Sequence, residues 1–261
     1  MRRLSDAEVD AVARRLAAQM ASAALGVPES AAVSRQAVAV EPARAATGEG
    51  VFATVDDCVR AATAAFHRLD QLTLATRVAI IAAIRDAMRR HGEALARLAW
   101  EETGLGRVEH KVIKNRLVTE RTPGTEILVP QTVTGDDGLT LTEWAPFGVI
   151  GSITPTTNPT STIICNTIGM VAAGNSVVFN VHPGAARCST ETIRLVNRAI
   201  VSAGGPPDLV TAVARPTIES ATELMHHEGI DLLVVTGGPG VVAAAMASGK
   251  RAICAGPGNP P

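Results

Sequence analysis

The sequence predicts an α/β fold in which a parallel sheet is flanked by helices. Over residues 146–261, short segments rich in β-branched residues alternate strictly with longer helical segments, and the short segments are apolar along their whole length. Strands that are apolar on both faces are typical of a parallel sheet covered by helices on both sides. The predicted strands span 148–154, 176–180, 209–213, 232–236 and 251–255, and the predicted helices span 161–173, 189–203, 218–226 and 241–247.

The amino terminus predicts a short amphipathic helix over residues 4–20. Its apolar residues fall on one face at helical spacing, and the segment Ser5-Asp6-Ala7-Glu8 is a capping box. Residues 21–47 show no clear period and are predicted to be a flexible linker. Because an isolated helix of this length is marginal in water, its apolar face needs a partner, either another protein or the chain's own domain.

More helices and a hairpin lie between the linker and the sheet. Alternating residues within 125–143 surround the turn Gly135-Asp136-Asp137-Gly138, which is typical of a β-hairpin. Helical periodicity ahead of the hairpin predicts helices over 55–69, 74–91 and 93–103, with ends near Gly92 and Gly104.

Polar or glycine-rich turns follow three of the predicted strands. Since ligands of parallel sheets bind at the carboxyl ends of the strands, these turns are the candidate site. Glycines before a helix let the backbone approach a phosphate, although the chain lacks a full G-x-G-x-x-G and a plain turn would look similar. The candidate residues are Thr154, Pro155, Thr156 and Asn158 in the first turn, Asn180, His182, Pro183 and Gly184 in the second, and Thr236, Gly237 and Gly238 in the third.

Asn158 is the one amide side chain of the first turn, and an amide has both N–H donors and an oxygen acceptor. The prolines on either side stiffen the turn, so its amide could point a donor at a developing oxyanion. The alternative is the commoner structural role, in which the asparagine caps the turn or the following helix.

Composition excludes several functional classes. The formal net charge is −1 and the pI is about 6.6, so we expect no general attraction to nucleic acid or to an anionic membrane. Tyrosine is absent, and no apolar run reaches membrane-spanning length.

The four cysteines show no metal-binding or disulfide spacing, which indicates a reducing, cytoplasmic location. His226, His227 and Glu228 are adjacent on a predicted helix end and point apart, so a metal site is not expected.

Four long segments resemble the aldehyde dehydrogenase superfamily, most closely the CoA-acylating enzymes of bacterial microcompartments. They are WEETGLGRVEHKVIKN at 100–115, APFGVIGSITPTTNPTST at 145–162, GNSVVFNVHPGA at 174–185 and VVTGGPGVVAAAMASGKRAICAGPGNPP at 234–261. The resemblance implies a short-chain aldehyde, NAD and CoA as substrates, with NADP as an alternative to NAD. It also implies that the three turns line the NAD site and that Asn158 binds the thiohemiacetal oxygen.

The resemblance also implies a domain organisation. Residues 1–20 would be an encapsulation helix that docks through residues 4–20 on a microcompartment shell protein, in the lumen of the compartment, and 21–47 a linker. Residues 48–124 would be the helical part of the cofactor-binding domain, and 125–145 a hairpin for homo-oligomerisation. Residues 146–261 would be the Rossmann-like NAD-binding core.

The chain departs from the family pattern at two points. The family's nucleophilic cysteine lies beyond the position of Pro261, and none of Cys58, Cys165, Cys188 or Cys254 stands in its place. We therefore expect the isolated 261-residue chain to be inactive, and the alternative function is a non-catalytic module that binds a nucleotide or a shell protein. Ala255 stands where hydrolytic relatives have a glutamate that activates water, which favours transfer of the acyl group to a thiol such as CoA.

The predicted encapsulation helix can be tested with a fluorescent fusion of residues 4–20 in cells that make microcompartments. Leu16→Glu should abolish targeting because it puts a charge on the apolar face, whereas Arg14→Glu changes the polar face and should matter less. The measurement is colocalisation with a labelled shell protein. Normal targeting by the Leu16→Glu fusion, or equal loss in both variants, would count against this docking face.

Overall fold

The computed structural model describes residues 47–256 and shows one six-stranded sheet and one separate hairpin. All strands of the larger sheet run parallel, in the order β1-β6-β5-β4-β7-β8, which confirms the predicted α/β class. Its strands are β1 (Val51–Phe52), β4 (Val149–Ile153), β5 (Ser176–Asn180), β6 (Val210–Val213), β7 (Leu232–Thr236) and β8 (Ala252–Ala255), and the hairpin strands are β2 (Gln131–Gly135) and β3 (Gly138–Thr142).

Seven α-helices accompany these strands in the described range. They are α1 (Val55–Asp70), α2 (Leu74–Thr103), α3 (Val108–Arg121), α4 (Pro159–Ala172), α5 (Ala186–Ser202), α6 (Ile218–His226) and α7 (Pro239–Ala247), with short 3-10 helices at Thr125–Ile127 and Pro183–Ala185.

Helices cover both faces of the sheet, and the central strands bury both sets of side chains. Val177 and Phe179 of β5 pack with α2, α4 and α5, whereas Val178, between them, packs on the opposite face with α1 and α6. All three side chains are fully buried. This alternation explains why the strands are apolar along their whole length.

The edge strand β1 was not predicted from the sequence, because two residues are too few to show a pattern. Val51 and Phe52 pair with Ala212 and Val213 of β6. Gly50 precedes the strand with a φ of 89°, and an added Cβ there would overlap Asn197 and the carbonyl of Val210. Only glycine combines this conformation with so close a backbone approach.

The predicted break at Gly92 is wrong, since α2 runs without interruption from Leu74 to Thr103. The helix ends instead at Gly104, which has the left-handed conformation typical of a helix end. A single glycine within a long helix costs about 1 kcal/mol, which tertiary packing offsets. Here Gly92 is buried against α3, and its carbonyl accepts a hydrogen bond from Asn115 Nδ2 at 2.9 Å.

Helix α3 was also not predicted, because it reverses the usual amphipathic pattern. Its buried residues are the polar Lys111, Asn115 and Thr119, spaced four apart on one face. Its apolar Ile113 and Leu117 are 62% and 56% exposed. A search for an apolar stripe therefore fails on this segment.

The hairpin predicted around Gly135–Gly138 is present, with Val133 opposite Thr140 and both strands exposed throughout. The prediction that the last strand is buried on both faces is wrong. β8 is at the sheet edge, where Ile253 is 59% exposed and Cys254 is only partly buried. An edge strand has one neighbour, so its outer side chains lack part of the cover that central strands have.

The predicted helix over 4–20 and almost all of the 21–47 linker lie outside the described residues. Among residues 47–256, no helix is both long enough and apolar enough to cross a membrane.

Candidate functional site

A large cleft lies at the carboxyl edge of the sheet, with a volume of about 1010 Å³. From β4 the chain proceeds to β5 and β6 on one side, and then returns to place β7 and β8 on the other side of β4. The order of strands therefore reverses between β4 and β7. This topological switch point is where open parallel sheets bind their ligands.

The turns predicted from the sequence converge on this cleft. Every predicted site residue except Gly184 lines it, and Gly184 donates its backbone N–H to His182 Nδ1 at 3.0 Å. The lining also contains Ala255 at the end of β8, and residues from the facing sides of two helices that were not predicted. The helix residues include Ile218, Ala221, Thr222 and Met225 of α6 and Val241 and Ala244 of α7.

Asn158 occupies the N-cap position of α4, but its side chain makes no capping hydrogen bond. Its Oδ1 instead accepts a hydrogen bond from Lys114 Nζ at 2.9 Å. Within residues 47–256, no hydrogen bond engages its Nδ2. The structural alternative, a capping asparagine, therefore does not describe this side chain, and its amide donors remain available beside the cleft.

Helix α3 holds the turn that contains Asn158. Lys111 Nζ donates to the carbonyl of Thr157 at 3.2 Å, and Asn115 Oδ1 accepts from Thr160 Oγ1 at 2.9 Å. Lys111 is 6% exposed, and burial, followed by the charge of Lys114, lowers its pKa. These residues were missed as site residues, although their spacing at i, i+3 and i+4 would have placed them on one helix face.

The other helix that begins beside the switch point is α7. Its N-cap is Gly238, no side chain caps it, and Pro239 is its first residue. An added Cβ on Gly237 would lie 2.5 Å from Val241 Cγ1, whereas one on Gly238 would meet nothing within 4 Å. The first turn of α7 thus offers backbone N–H groups to open space, which suits an anion.

Asn180 and His182 are held by the protein itself. Asn180 is 3% exposed, its Oδ1 accepts from Ser220 Oγ at 2.6 Å, and its Nδ2 lies 3.4 Å from the carbonyl of Thr217. The side chain therefore joins β5 to the start of α6 at the wall of the cleft. Because His182 Nδ1 accepts a hydrogen bond from the backbone N–H of Gly184, the neutral ring carries its hydrogen on Nε2.

The comparison with protein families agrees with this geometry. A model described as the aldehyde dehydrogenase family matches residues 36–258. The chain belongs to the aldehyde dehydrogenase family. The resemblance stated from the sequence is thereby confirmed at the level of the family.

Relatives within this family are CoA-acylating enzymes. Acetaldehyde dehydrogenase (acetylating) EutE of Escherichia coli is 52% identical over 221 residues, which cover 84% of this chain and 47% of that protein. Propanal dehydrogenase (CoA-propanoylating) of Citrobacter freundii is 47% identical over 221 residues, which cover 84% of this chain and 48% of that protein. The chain spans about half the length of the curated relatives it matches.

A solved structure extends the comparison to the fold. Propionaldehyde dehydrogenase of Rhodopseudomonas palustris, crystallised with bound propionyl-CoA, is 49% identical and superposes with a TM-score of 0.79. The match covers 82% of this chain and 48% of that one. The α/β sheet and its helices are thus those of an aldehyde dehydrogenase.

The histidines near the end of α6 make local contacts. His226 Nδ1 lies 2.9 Å from the carbonyl of Thr222, and His227 Nε2 lies 3.6 Å from Asp56 Oδ1. Among residues 47–256, no three histidine, cysteine or acidic side chains are grouped so that they could hold a metal ion.

The cysteines of this aldehyde dehydrogenase chain all fall within residues 47–256, and none of them lines the cleft. Cys58 and Cys188 are buried, and burial raises the pKa of each thiol to about 12. Burial also raises the pKa of Cys254, which is partly exposed on β8. A nucleophile needs the opposite shift, so these three thiols have structural environments.

Thiol alkylation tests this assignment. At pH 8, iodoacetamide should modify Cys165 and Cys254 before Cys58 and Cys188, because the buried pair is both inaccessible and protonated. The measurement is peptide mass spectrometry after timed alkylation, with a urea-unfolded sample in which all four should react alike. Rapid modification of Cys188 in the folded protein would contradict the assignment.

Proposed function

We propose that this chain is the amino-terminal, cofactor-binding portion of a CoA-acylating aldehyde dehydrogenase. The enzyme would oxidise a short-chain aldehyde to an acyl-CoA with NAD. The observation that carries the proposal is the pairing of a cleft at the switch point with an asparagine whose amide donors are free of any capping role. Acylating relatives at about half identity support the same class.

The cleft fits a dinucleotide in two respects. The uncapped start of α7 suits a pyrophosphate, since backbone N–H groups and the helix dipole favour an anion there. The apolar sides of α6 and α7 form walls against which a flat base would pack. Because Asn180 carries no charge at the position that often selects between NAD and NADP, we expect only a modest preference between the two.

NAD would accept the hydride that leaves the substrate carbon. This chain's own contribution is to bind the cofactor and to stabilise charge. When a thiolate adds to the aldehyde carbonyl, the former carbonyl oxygen becomes negative, and the Asn158 amide would donate a hydrogen bond to it. The thiol itself would come from a part of the enzyme outside these 261 residues, because no cysteine of the chain lines the cleft.

Ala255 favours CoA over water as the acceptor of the acyl group. It lines the cleft at the end of β8, where hydrolytic members of the family have a glutamate. An alanine cannot remove a proton from water, whereas the thiolate of CoA is a strong nucleophile without such a base. We propose that CoA binds in the same groove as the nicotinamide cofactor, and that the two bind there one after the other.

The remaining assignments concern location and assembly. Residues 4–20 would dock on a shell protein, so that the enzyme is cargo in the lumen of a bacterial microcompartment. The exposed hairpin of β2 and β3, with Val133, Leu139 and Leu141 largely exposed, would mediate homo-oligomerisation. The alternative to a portion of an enzyme is a chain that acts without a catalytic thiol. It would then be a non-catalytic module that binds a nucleotide or a shell protein.

Cofactor binding can be measured on the 261-residue chain by calorimetry and by NMR shift mapping with NAD. Binding should be weak and should shift the turns at 154–156, 180–184 and 236–240. Gly238→Val should lower the affinity at least about tenfold, since the side chain blocks backbone donors that would hold a charged group.

Gly169→Ala in α4 is the matched control, because it also adds a side chain to open space but lies outside the lining of the cleft. It should leave the affinity unchanged. Shifts confined to residues outside the three turns, or full affinity in Gly238→Val, would refute the proposed cofactor site.

Turnover tests the role of Asn158 in the enzyme that contains this chain. Asn158→Ala should lower kcat for NADH formation from a short aldehyde and CoA by roughly 100- to 1000-fold, the usual loss for one oxyanion donor. Asn158→Asp has the same size but lacks the amide donors, so it should be no more active than Asn158→Ala. Near-normal turnover in either variant would remove Asn158 from the mechanism.

A further inference from the structure

Two lysines of α3 reach the turn that carries Asn158, although neither lines the cleft. Lys111 Nζ is 3.2 Å from the carbonyl oxygen of Thr157, and Lys114 Nζ is 2.9 Å from Asn158 Oδ1. In the described part of the chain, neither lysine forms an ion pair with a carboxylate. Their charges are therefore directed at the backbone and side chain of one turn.

The chemistry of the contact determines how the Asn158 amide is oriented. The two ends of an asparagine amide have nearly the same shape, so packing alone selects poorly between its two orientations. A lysine ammonium has three donors and no acceptor, so only the oxygen can face it. With Oδ1 held by Lys114, Nδ2 points away from Lys114 within the amide plane.

We propose that Lys114 is a positioning residue that holds the Asn158 amide with its N–H donors available to the oxyanion, while Lys111 fixes the backbone beneath it. The proposal rests on the function proposed above and deepens it. Reversal of the amide would present Oδ1 to a developing negative charge, which repels it. A hydrogen bond from a cation also polarises the amide and strengthens the donors at its opposite end.

Burial explains why the two lysines have different tasks. Lys111 is 6% exposed and lies in the polar face of α3 beside Asn115, so its removal would leave a gap in a buried face and the carbonyl of Thr157 without its partner. Lys114 is exposed, so its ammonium can be replaced without opening a cavity. Lys114 is therefore the better position at which to test orientation separately from folding.

A different role for Lys114 is binding an anionic group of the cofactor or of CoA directly. That role would weaken substrate binding and raise KM, whereas loss of an oriented oxyanion donor lowers kcat with KM little changed. The division of an effect between kcat and KM thus separates the two roles.

The experiment compares Lys114→Met, Asn158→Ala and the double variant in the enzyme that contains this chain, with NADH formation from a short aldehyde and CoA as the assay. Lys114→Met keeps the length of the side chain and removes its donor. We expect it to lower kcat about tenfold, the value of one hydrogen bond to a charged group, and to have no further effect in the Asn158→Ala background. Lys114→Arg, which retains donors, should recover part of the loss.

Arg116→Met is the matched control, since it removes an exposed cation two residues away on the same helix, and it should turn over normally. Normal kcat in Lys114→Met, a change in KM alone, or full additivity in the double variant would overturn the positioning role. If Asn158→Ala loses turnover and Lys114→Met does not, the proposed function stands and this inference fails. Absence of acyl-CoA formation by the unaltered enzyme would instead refute the proposed function.

A second measurement does not depend on activity. In NMR spectra of the 261-residue chain, the side-chain NH₂ signal of Asn158, assigned by its loss in Asn158→Ala, should shift in Lys114→Met. It should stay in place in Arg116→Met. An unchanged signal in Lys114→Met would show that the lysine does not hold the amide, whatever the enzyme catalyses.

Discussion

The parallel direction of all six strands is the constraint on which the rest of the molecule depends. Parallel strands need crossover connections, and here helices provide them and cover both faces of the sheet. The side chains along the central strands are consequently buried in the core on both faces of the sheet. Polar groups can converge only at the ends of the strands, and the carboxyl ends of β4, β5 and β7 bring together segments that are far apart in sequence.

Helix α3 shows how the core then supports the site. A helix of this kind usually buries an apolar stripe, which stabilises the fold at about 25 cal/mol per Å² of apolar surface removed from water. α3 instead buries Lys111, Asn115 and Thr119, and each of them is hydrogen-bonded. Because an unsatisfied buried polar group costs about 1–3 kcal/mol, this face tolerates little change in the position of its partners. The partners include Thr157 and Thr160, so the turn around Asn158 is held from both sides.

The differences between sequence and structure follow from the same physics. The strands from β4 to β7 were predictable because central parallel strands carry an uninterrupted apolar signal. β1 was not predictable, since its two residues form a strand only by pairing with β6, and that pairing requires the space left by the missing side chain of Gly50. The apolar pattern of β8 predicted a buried strand, but β8 has the exposure of an edge strand. The pattern of α3 did not predict a helix, because its buried face is polar. The turns of the site could be located from strand ends, whereas the lysines behind Asn158 required the packing of α3 against α4.

Five of the connections after strands in the described range lead into a helix, and they differ in how the first backbone N–H groups are satisfied. The start of α1 is capped by the side chain of Thr54, which accepts a hydrogen bond from the backbone N–H of Asp57. The start of α6 has a complete capping box between Thr217 and Ser220, and the start of α5 has the carboxylate of Glu102, which accepts from the backbone of Arg187 and Cys188 at 2.7 Å. The starts of α4 and α7 have no side-chain cap.

These two helices follow β4 and β7, the strands on either side of the switch point. A proline at the first position of each removes one donor that would otherwise lack a partner, and no side chain at the N-cap satisfies the remaining N–H groups of the first turn. Folding alone would favour a cap at every helix, each worth roughly 1 kcal/mol. The start of α3 also lacks a side-chain cap, but the starts of α4 and α7 flank the switch point, where the anion and the oxyanion proposed above would be acceptors for their N–H groups.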